Sequence, residues 1–309
     1  MRQTLGRSAP ACGLLLAACL STTAASAQAS GGEGLSPTLA HIKQTHVVHL
    51  GYRESSPPFS FLDQANRPIG YSLELCEAIV DEIGVEVDDA DLKIEYVKVT
   101  SDDRIAAVLQ NKIDLECGST TANAERAKQV AFSPLMFVAG TKLMVPKTSS
   151  ISAPTDLKGK TVVVTKGTTN EQAMHNVDKK FALGLNIVTS PDHEQSYQML
   201  VDGKADAFAT DDILLYGLIA RHKAQDKFKV TGDYLSYDPY GIMFRKGEPQ
   251  LAAVVERTFH KLGSNRDLIP LYNKWFVARL PTGERLNVPI SPQLEEAFNV
   301  LNDTEGTSN

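Results

Sequence analysis

Cysteine is scarce, four in 309 residues, and no two stand in a C-x-x-C pair. That excludes a thioredoxin-like redox motif and a zinc site built on paired cysteines. There is no H-E-x-x-H, Walker loop, G-x-G-x-x-G or G-x-S-x-G, so zinc-protease, P-loop, dinucleotide and serine-hydrolase chemistry all lack their usual residues. His46 and His49 are three apart in a strand and face opposite sides, a poor metal pair. Positive charge is short too. Against 37 Asp and Glu there are 31 Lys and Arg, a net charge of −6, which is a weak basis for binding nucleic acid or an anionic membrane. Long apolar runs are missing: the segment 9–20 falls short of the roughly 20 residues a spanning helix needs.

What is present begins with an export signal. "MRQTLGR" carries two cations and no acid, an apolar run follows, and "STTAASA" ends in an A-x-A pattern. Residues 1–27 are therefore expected to be a signal peptide cut between Ala27 and Gln28. "LAAC" at 16–19 also resembles a lipoprotein box with Cys19 as the lipid anchor. The spacing of "ASA" from the apolar run favours the soluble exported form. Processing leaves Cys76, in a helical pattern, and Cys117, in a buried-strand pattern. They could pair in an oxidising compartment or remain two buried thiols.

Residues 28–44 are small and polar and read as a flexible lead-in. From 45 onward strands and helices alternate. "HVVHLGY" is followed by the helix "YSLELCEAIVDEIG", which Gly84 is placed to cap. Then come "LKIEYVKV", the helix "SDDRIAAVLQNK" with Ser101 as its expected N-cap, and "IDLECGS". A second set starts at Thr161: "TVVVTKG", "TNEQAMHNVDKKF", "LNIVTS", "DHEQSYQMLVDG", "ADAFATD" and "DILLYGLIARHK". This order predicts an α/β protein with two parallel-rich sheets, each covered by helices. The extended segments 131–147 and 234–247 are expected to carry the chain between the two lobes. The first lobe is then discontinuous, 45–139 with 240–280, and the second is 140–239. The segment 281–309 reads as a tail that wraps the surface or frays.

Right-handed crossovers collect the functional loops at the C-terminal ends of the strands. Those ends carry Arg53, Ser101, Arg104 and "GSTTANAER" (118–126) in the first lobe. In the second they carry "KGTTN" (166–170), "DHEQS" (192–196) and "TDD" (210–212). Arginine forks match carboxylates, and Gly167-Thr168-Thr169 at a helix start suits an anion. A carboxylate such as Asp211 suits an ammonium group. Together they describe a site for an α-amino acid, with enough arginine for a second carboxylate. Each residue alone also has a plain reading: Arg53, Arg104 and Arg126 as solvated cations, Thr168 and Asp211 as helix caps, His193 as first-turn solvent, Ser119 and Thr121 as turn hydroxyls. Glu54, Asp102, Asp103 and Asp212 are the acids available to offset the arginines.

The stretches "GYRESSPPFSF", "TSDDRIAAVLQNKIDLECGSTTANAERAKQVAFS", "LKGKTVVVTKGTTNEQ", "DHEQSYQML", "ADAFATDD" and "DPYGIMFRK" resemble, in order over about 45–280, the periplasmic glutamate/aspartate-binding proteins of ABC importers. The resemblance implies the type II periplasmic-binding fold, two lobes joined by two hinge strands. It implies capture of L-glutamate or L-aspartate by closure of the lobes and delivery to an inner-membrane permease. The protein would act as a periplasmic monomer, without enzymatic activity, cofactor or metal. Position by position, Arg126 and Thr121, joined by Thr168 and Thr169, would hold the α-carboxylate. The Ser119 carbonyl, the Thr121 hydroxyl and Asp211 would take the α-ammonium, and Arg53, Ser101, Arg104 and His193 would surround the distal carboxylate. The rival readings are a periplasmic enzyme of the cyclohexadienyl dehydratase type and a sensory amino-acid-binding module.

Overall fold

A computed structural model describes residues 34–302. The expected signal peptide and Cys19 lie outside the described residues. Helix α1 (Pro37–Thr45) leads into β1 (Val47–Tyr52) and a small ribbon of β2 (Ser55–Ser56), β3 (Ser60–Leu62) and β4 (Pro68–Ile69). Then follow α2 (Tyr71–Val87), β5 (Lys93–Lys98), α3 (Arg104–Leu109), β6 (Leu115–Glu116), β7 (Val130–Phe132), β8 (Phe137–Ala139) and β9 (Thr141–Pro146). The second half runs β10 (Thr161–Thr165), α4 (Thr169–Phe181), β11 (Asn186–Ser190), α5 (His193–Val201), β12 (Ala207–Asp211), α6 (Asp212–Arg221) and β13 (Phe228–Thr231). It closes with β14 (Asp238–Tyr240), β15 (Met243–Arg245), α7 (Pro249–Ser264), α8 (Leu268–Phe276) and α9 (Pro292–Asn302).

Two five-stranded sheets result, ordered β5-β1-β6-β15-β7 and β11-β10-β12-β9-β13. The two share one plan. A central strand, β1 or β10, pairs in parallel on both sides, and the returning strand, β15 or β9, pairs antiparallel on both of its sides. The sheets are therefore mixed, with parallel strands on one side and antiparallel strands on the other.

Alternation along the strands feeds a core on each face. In β10, Val162 and Val164 pack with Met174 and Val177 of α4. Val163 turns the other way, to Tyr197 of α5 and Leu215 of α6. Such a strand reads as a continuous apolar run because both of its faces are covered. Between the sheets, β8 and β14 pair antiparallel, Asp238 opposite Ala139 and Tyr240 opposite Phe137. This pair carries the chain out to the second sheet and back.

Four expectations need correction. The lead-in 28–44 is not a loose segment throughout, because α1 buries Leu39 and Ile42, three residues apart on one helical face. The tail 281–309 contains α9, whose Leu294, Phe298 and Leu301 join the same core. Gly84 does not cap α2; the helix runs on to Val87 and ends at Asp88 in the left-handed conformation. Gly84 instead leaves room for the returning chain, since a Cβ there would meet the Asp89 carbonyl at 2.7 Å. Ser101 is not the N-cap of α3, which is Asp103; the Thr100 N–H donates to the Asp103 carboxylate at 2.7 Å and frees Ser101 for another partner.

Cys76 and Cys117 form a disulfide. It ties α2 to the residue directly after β6, where the loop 118–121 begins, and resolves the alternative of free thiols.

Candidate ligand-binding site

Strand ends from both sheets meet around a shut cleft. Arg126 on the first lobe donates to the Gly167 carbonyl on the second at 3.3 Å, and the Thr121 and Thr169 hydroxyls are 3.2 Å apart. Lys166 pairs with Asp102 across the same seam at 2.9 Å. The small cavity left there is lined by Ser101, Arg104, Ser119, Thr121, Thr168, Thr169, His193 and Asp211, together with Asn170 and Leu214. Eight of the ten expected residues thus line one cavity, four from each lobe. Its volume is about 10 Å³, the room of a single water. An amino acid must therefore enter by parting of the walls.

Arg53 stands just behind this cavity. Its backbone N–H donates to the Ser60 hydroxyl at 2.8 Å, so the β2–β4 ribbon fixes its position. Its Nη2 donates to Ser101 Oγ at 2.7 Å, and its buried Nη1 has no partner among the described residues. Arg104 is also buried, with Nη1 3.5 Å from the Ser119 carbonyl and Nε without a partner among the described residues. The two are 1 % and 2 % exposed, so neither is a solvated cation. Burial and the charge of Arg104 push the Arg53 guanidinium down to about 10, still cationic at neutral pH.

Arg126 lies at the cavity's rim. Its Nη1 donates to the Thr121 carbonyl at 2.9 Å, and burial with the nearby Arg104 lowers it to about 9.

Three of the four acids expected to offset these cations do other work. Glu54 pairs with Lys98 at 2.6 Å, Asp102 with Lys166, and Asp212 accepts from the Tyr234 hydroxyl at 2.7 Å. Asp103 belongs to the turn before α3, and its charge also favours the cationic forms of Arg53 and Arg104. The acid beneath the arginines is Glu116 of β6, fully buried, with Oε2 accepting from the Thr120 hydroxyl at 2.6 Å and Oε1 unpartnered among the described residues. Gly118 lets it lie against Arg53: a Cβ at 118 would meet Glu116 Oε1 at 2.3 Å and Arg53 Cγ at 3.0 Å.

The opposite end is anionic. Asp211 begins α6, yet its side chain makes no cap hydrogen bond. Its carboxylate accepts from Asn170 Nδ2 at 2.8 Å and from the Tyr240 hydroxyl. Asp238 accepts from the Thr121 hydroxyl at 3.1 Å and from Ser236. Burial, with Asp238 nearby, pushes the Asp211 carboxyl up to about 7. A carboxyl so placed gains by meeting a cation.

His193 is 2 % exposed, not first-turn solvent. Its Nδ1 is 2.8 Å from Thr165 Oγ1. Burial and the charges of Arg53 and Arg104 hold it well below the usual histidine range, so the ring adds no charge of its own. Thr168 does serve as the N-cap of α4, its hydroxyl accepting from the Glu171 N–H at 3.2 Å and donating to the Thr165 carbonyl at 2.7 Å.

Residues 48–278 match the sequence model of the bacterial extracellular solute-binding proteins, family 3. The chain belongs to that family. It is 42 % identical over 266 residues to the L-glutamate/L-aspartate-binding protein of Pseudomonas aeruginosa, covering 85 % of this chain and 87 % of the relative. To the glutamate/aspartate import solute-binding protein of Salmonella typhimurium it is 36 % identical over 274 residues, 88 % of this chain and 91 % of the relative. Among solved structures, an ancestral arginine-binding protein bound to arginine superposes with a TM-score of 0.68 at 30 % identity, covering 75 % of this chain and 98 % of the other.

Four residues at the site of this family 3 protein were missed from sequence: Glu116, Asn170, Asp238 and Tyr240. Glu116 had a signal, an acid between Leu115 and Cys117 in a strand that otherwise reads as buried. Asp238 and Tyr240 lay in a segment read only as a crossover. Asn170 looked like any first-turn helix residue.

Proposed function

We propose that this family 3 protein captures L-glutamate and L-aspartate in the periplasm by lobe closure and delivers them to an inner-membrane ABC permease. One observation carries the ligand class. Arg53 and Arg104 are buried at one end with donors that no described residue takes, while Asp211 and Asp238 gather at the other with no ion pair of their own among the described residues. An unpaired buried charge is expensive, and an α-amino dicarboxylate supplies both missing signs. Both relatives described above carry the names of acidic-amino-acid binders.

In this reading Arg126 and Thr121, with Thr168 and Thr169 at the start of α4, take the α-carboxylate. The first N–H groups of a helix lack intrahelical partners and favour an anion there. The Ser119 carbonyl, Thr121 and Asp211 take the α-ammonium, with Asp238 adding negative charge. Arg53, Ser101, Arg104 and His193 surround the distal carboxylate. The lobes are 45–139 with 240–280 and 140–239, and a ligand that touches both is what can favour closure.

Isothermal calorimetry with glutamate, aspartate, glutamine, asparagine and arginine tests the proposal. Affinities of about 1 μM or tighter for the two acids, at least ten times weaker for the amides, are expected. Tight binding of arginine, or turnover of a prephenate-like substrate, would overturn it.

A further inference from the structure

A run of hydroxyls behind His193 decides which ring nitrogen carries the proton. Ser190 Oγ lies 2.9 Å from the Asp192 backbone carbonyl, which can only accept, so the single Ser190 hydroxyl proton is committed there. Ser196 Oγ, 2.5 Å from Ser190 Oγ, must then donate to it. Thr165 Oγ1, 2.9 Å from Ser196 Oγ, must donate in turn. Thr165 has no proton left for His193 Nδ1 at 2.8 Å, so Nδ1 is the N–H and donates to the threonine oxygen. Thr165, Ser190, Ser196 and His193 are all buried, which leaves bulk water little access to reset the order. The neutral ring therefore keeps a bare lone pair on Nε2, and His193 borders the ligand cavity.

The surroundings of the ring fit this order. Arg53 and Arg104 face it from the first lobe, and Phe208 of β12 packs with its ring centre 6.5 Å away. On its own helix, Asp192 is occupied by the Gln195 backbone and side chain, and Glu194 by His222. Asp211 borders the same cavity but is held by Asn170 and Tyr240. Among the described residues near the ring, then, no acid faces it directly.

We propose that Ser190, Ser196 and Thr165 are positioning residues that couple recognition of a side-chain carboxylate at His193 to uptake of one proton. The relay denies the neutral ring an N–H at Nε2, and two lone pairs would repel. A carboxylate placed there is met by the imidazolium, its new Nε2 proton drawn from solvent while Nδ1–H stays on Thr165. A side-chain amide can donate to the bare Nε2 with no proton taken up. The inference rests on the acidic amino-acid reading above; acid and amide then differ in the proton they take up, and the preference for the acid itself comes from Arg53 and Arg104.

The test is calorimetric titration of L-glutamate at pH 7 in buffers of different ionisation enthalpy, which counts protons exchanged on binding. The proteins compared are wild type, Ser196→Ala and Ser190→Ala. Either substitution frees a hydroxyl proton to turn toward Nδ1, so the neutral ring can present Nε2–H. Wild type is expected to take up close to one more proton per glutamate than either variant, a tenfold change in affinity per pH unit where the whole proton is gained. Any release from Asp211 is common to all three and cancels. Equal proton counts in proteins that all bind glutamate would overturn the relay and leave the ligand class standing. Loss of binding in both variants, with unfolding transitions intact, would also overturn it, because the contact at Nε2 should survive. A wild-type protein that binds neither glutamate nor aspartate would overturn the ligand class, and this inference with it.

Discussion

Arg53 Nη2 donates to Ser101 Oγ at 2.7 Å, across 48 residues of sequence, while its buried Nη1 has no partner. The serine orients one arm of the guanidinium fork, and no described residue takes the other. Hydrogen bonds to charged groups contribute about 1.5–3 kcal/mol each. Arg53→Ala is therefore expected to weaken glutamate and aspartate by roughly 100-fold or more, for the loss of a charged, forked contact. Its unfolding temperature should not fall, because the substitution also removes a buried cation facing Arg104. Calorimetry alongside thermal unfolding separates the two effects. Unchanged affinity would remove Arg53 from the site.

Asp211 gives a prediction with a sign. Its folded pKa, about 7, lies above that of an unfolded aspartate, so the folded state holds the extra proton between about pH 4 and pH 7. Stability from this group is fully present below pH 4 and is lost as pH rises through 7. Asp211→Asn keeps the Asn170 contact and removes the charge. At pH 8 the variant should be more stable than wild type by about 2–4 kcal/mol, with the gap narrowing toward pH 5. It should also bind every amino acid more weakly, acid and amide alike, since all share the α-ammonium. Thermal melts at pH 5 and pH 8, with and without ligand, check both halves. A variant less stable than wild type at pH 8 would contradict the buried, cation-starved carboxylate.

The strand ends were readable because a parallel strand followed by a helix has one geometric solution, and it puts Arg53, Arg104, Thr121, Thr168, His193 and Asp211 on one side. What sequence could not supply was partnership. Glu54 sits beside Arg53 in the chain but points to Lys98; Glu116 is 63 positions away and is the acid that lies beneath it. Arg53 and Glu54 occupy the short turn between β1 and β2, where the chain changes direction and adjacent side chains diverge, so the adjacent acid is the wrong one. The ends of the chain misled for a different reason. α1 and α9 are short and polar outside, and only Leu39 with Ile42, and Leu294 with Phe298 and Leu301, betray an inward face.

Cys76 and Cys117 close a loop spanning 41 positions, worth about 4 kcal/mol in the chain-entropy account. Replacing both with serine should lower the unfolding temperature by roughly 6–12 °C for a domain of this size. Because Cys117 precedes Gly118 and Ser119, the loss should also loosen the loop that carries the Ser119 carbonyl, weakening glutamate by several-fold. Dithiothreitol applied to wild type should reproduce the thermal shift. A melting temperature unmoved by either treatment would mean that the loop is held by the core alone.

Gly217 separates closure from folding. It lies inside α6 with helical backbone, and a Cβ there would meet the Pro57 carbonyl oxygen of the first lobe at 2.3 Å. Within its own lobe, alanine in place of glycine favours the helix by about 1 kcal/mol. Across the cleft it collides with backbone that a side-chain rotation cannot move aside. Gly217→Ala should therefore fold at least as stably as wild type, yet bind glutamate ten-fold or more weakly, because a ligand holds the lobes together only as far as it prefers the closed form. Small-angle scattering reads the difference directly. Saturating glutamate should contract the wild-type radius of gyration and leave the variant's nearly unchanged. Normal contraction with normal affinity would show that the lobes meet differently in solution and that Gly217 and Pro57 do not define the seam.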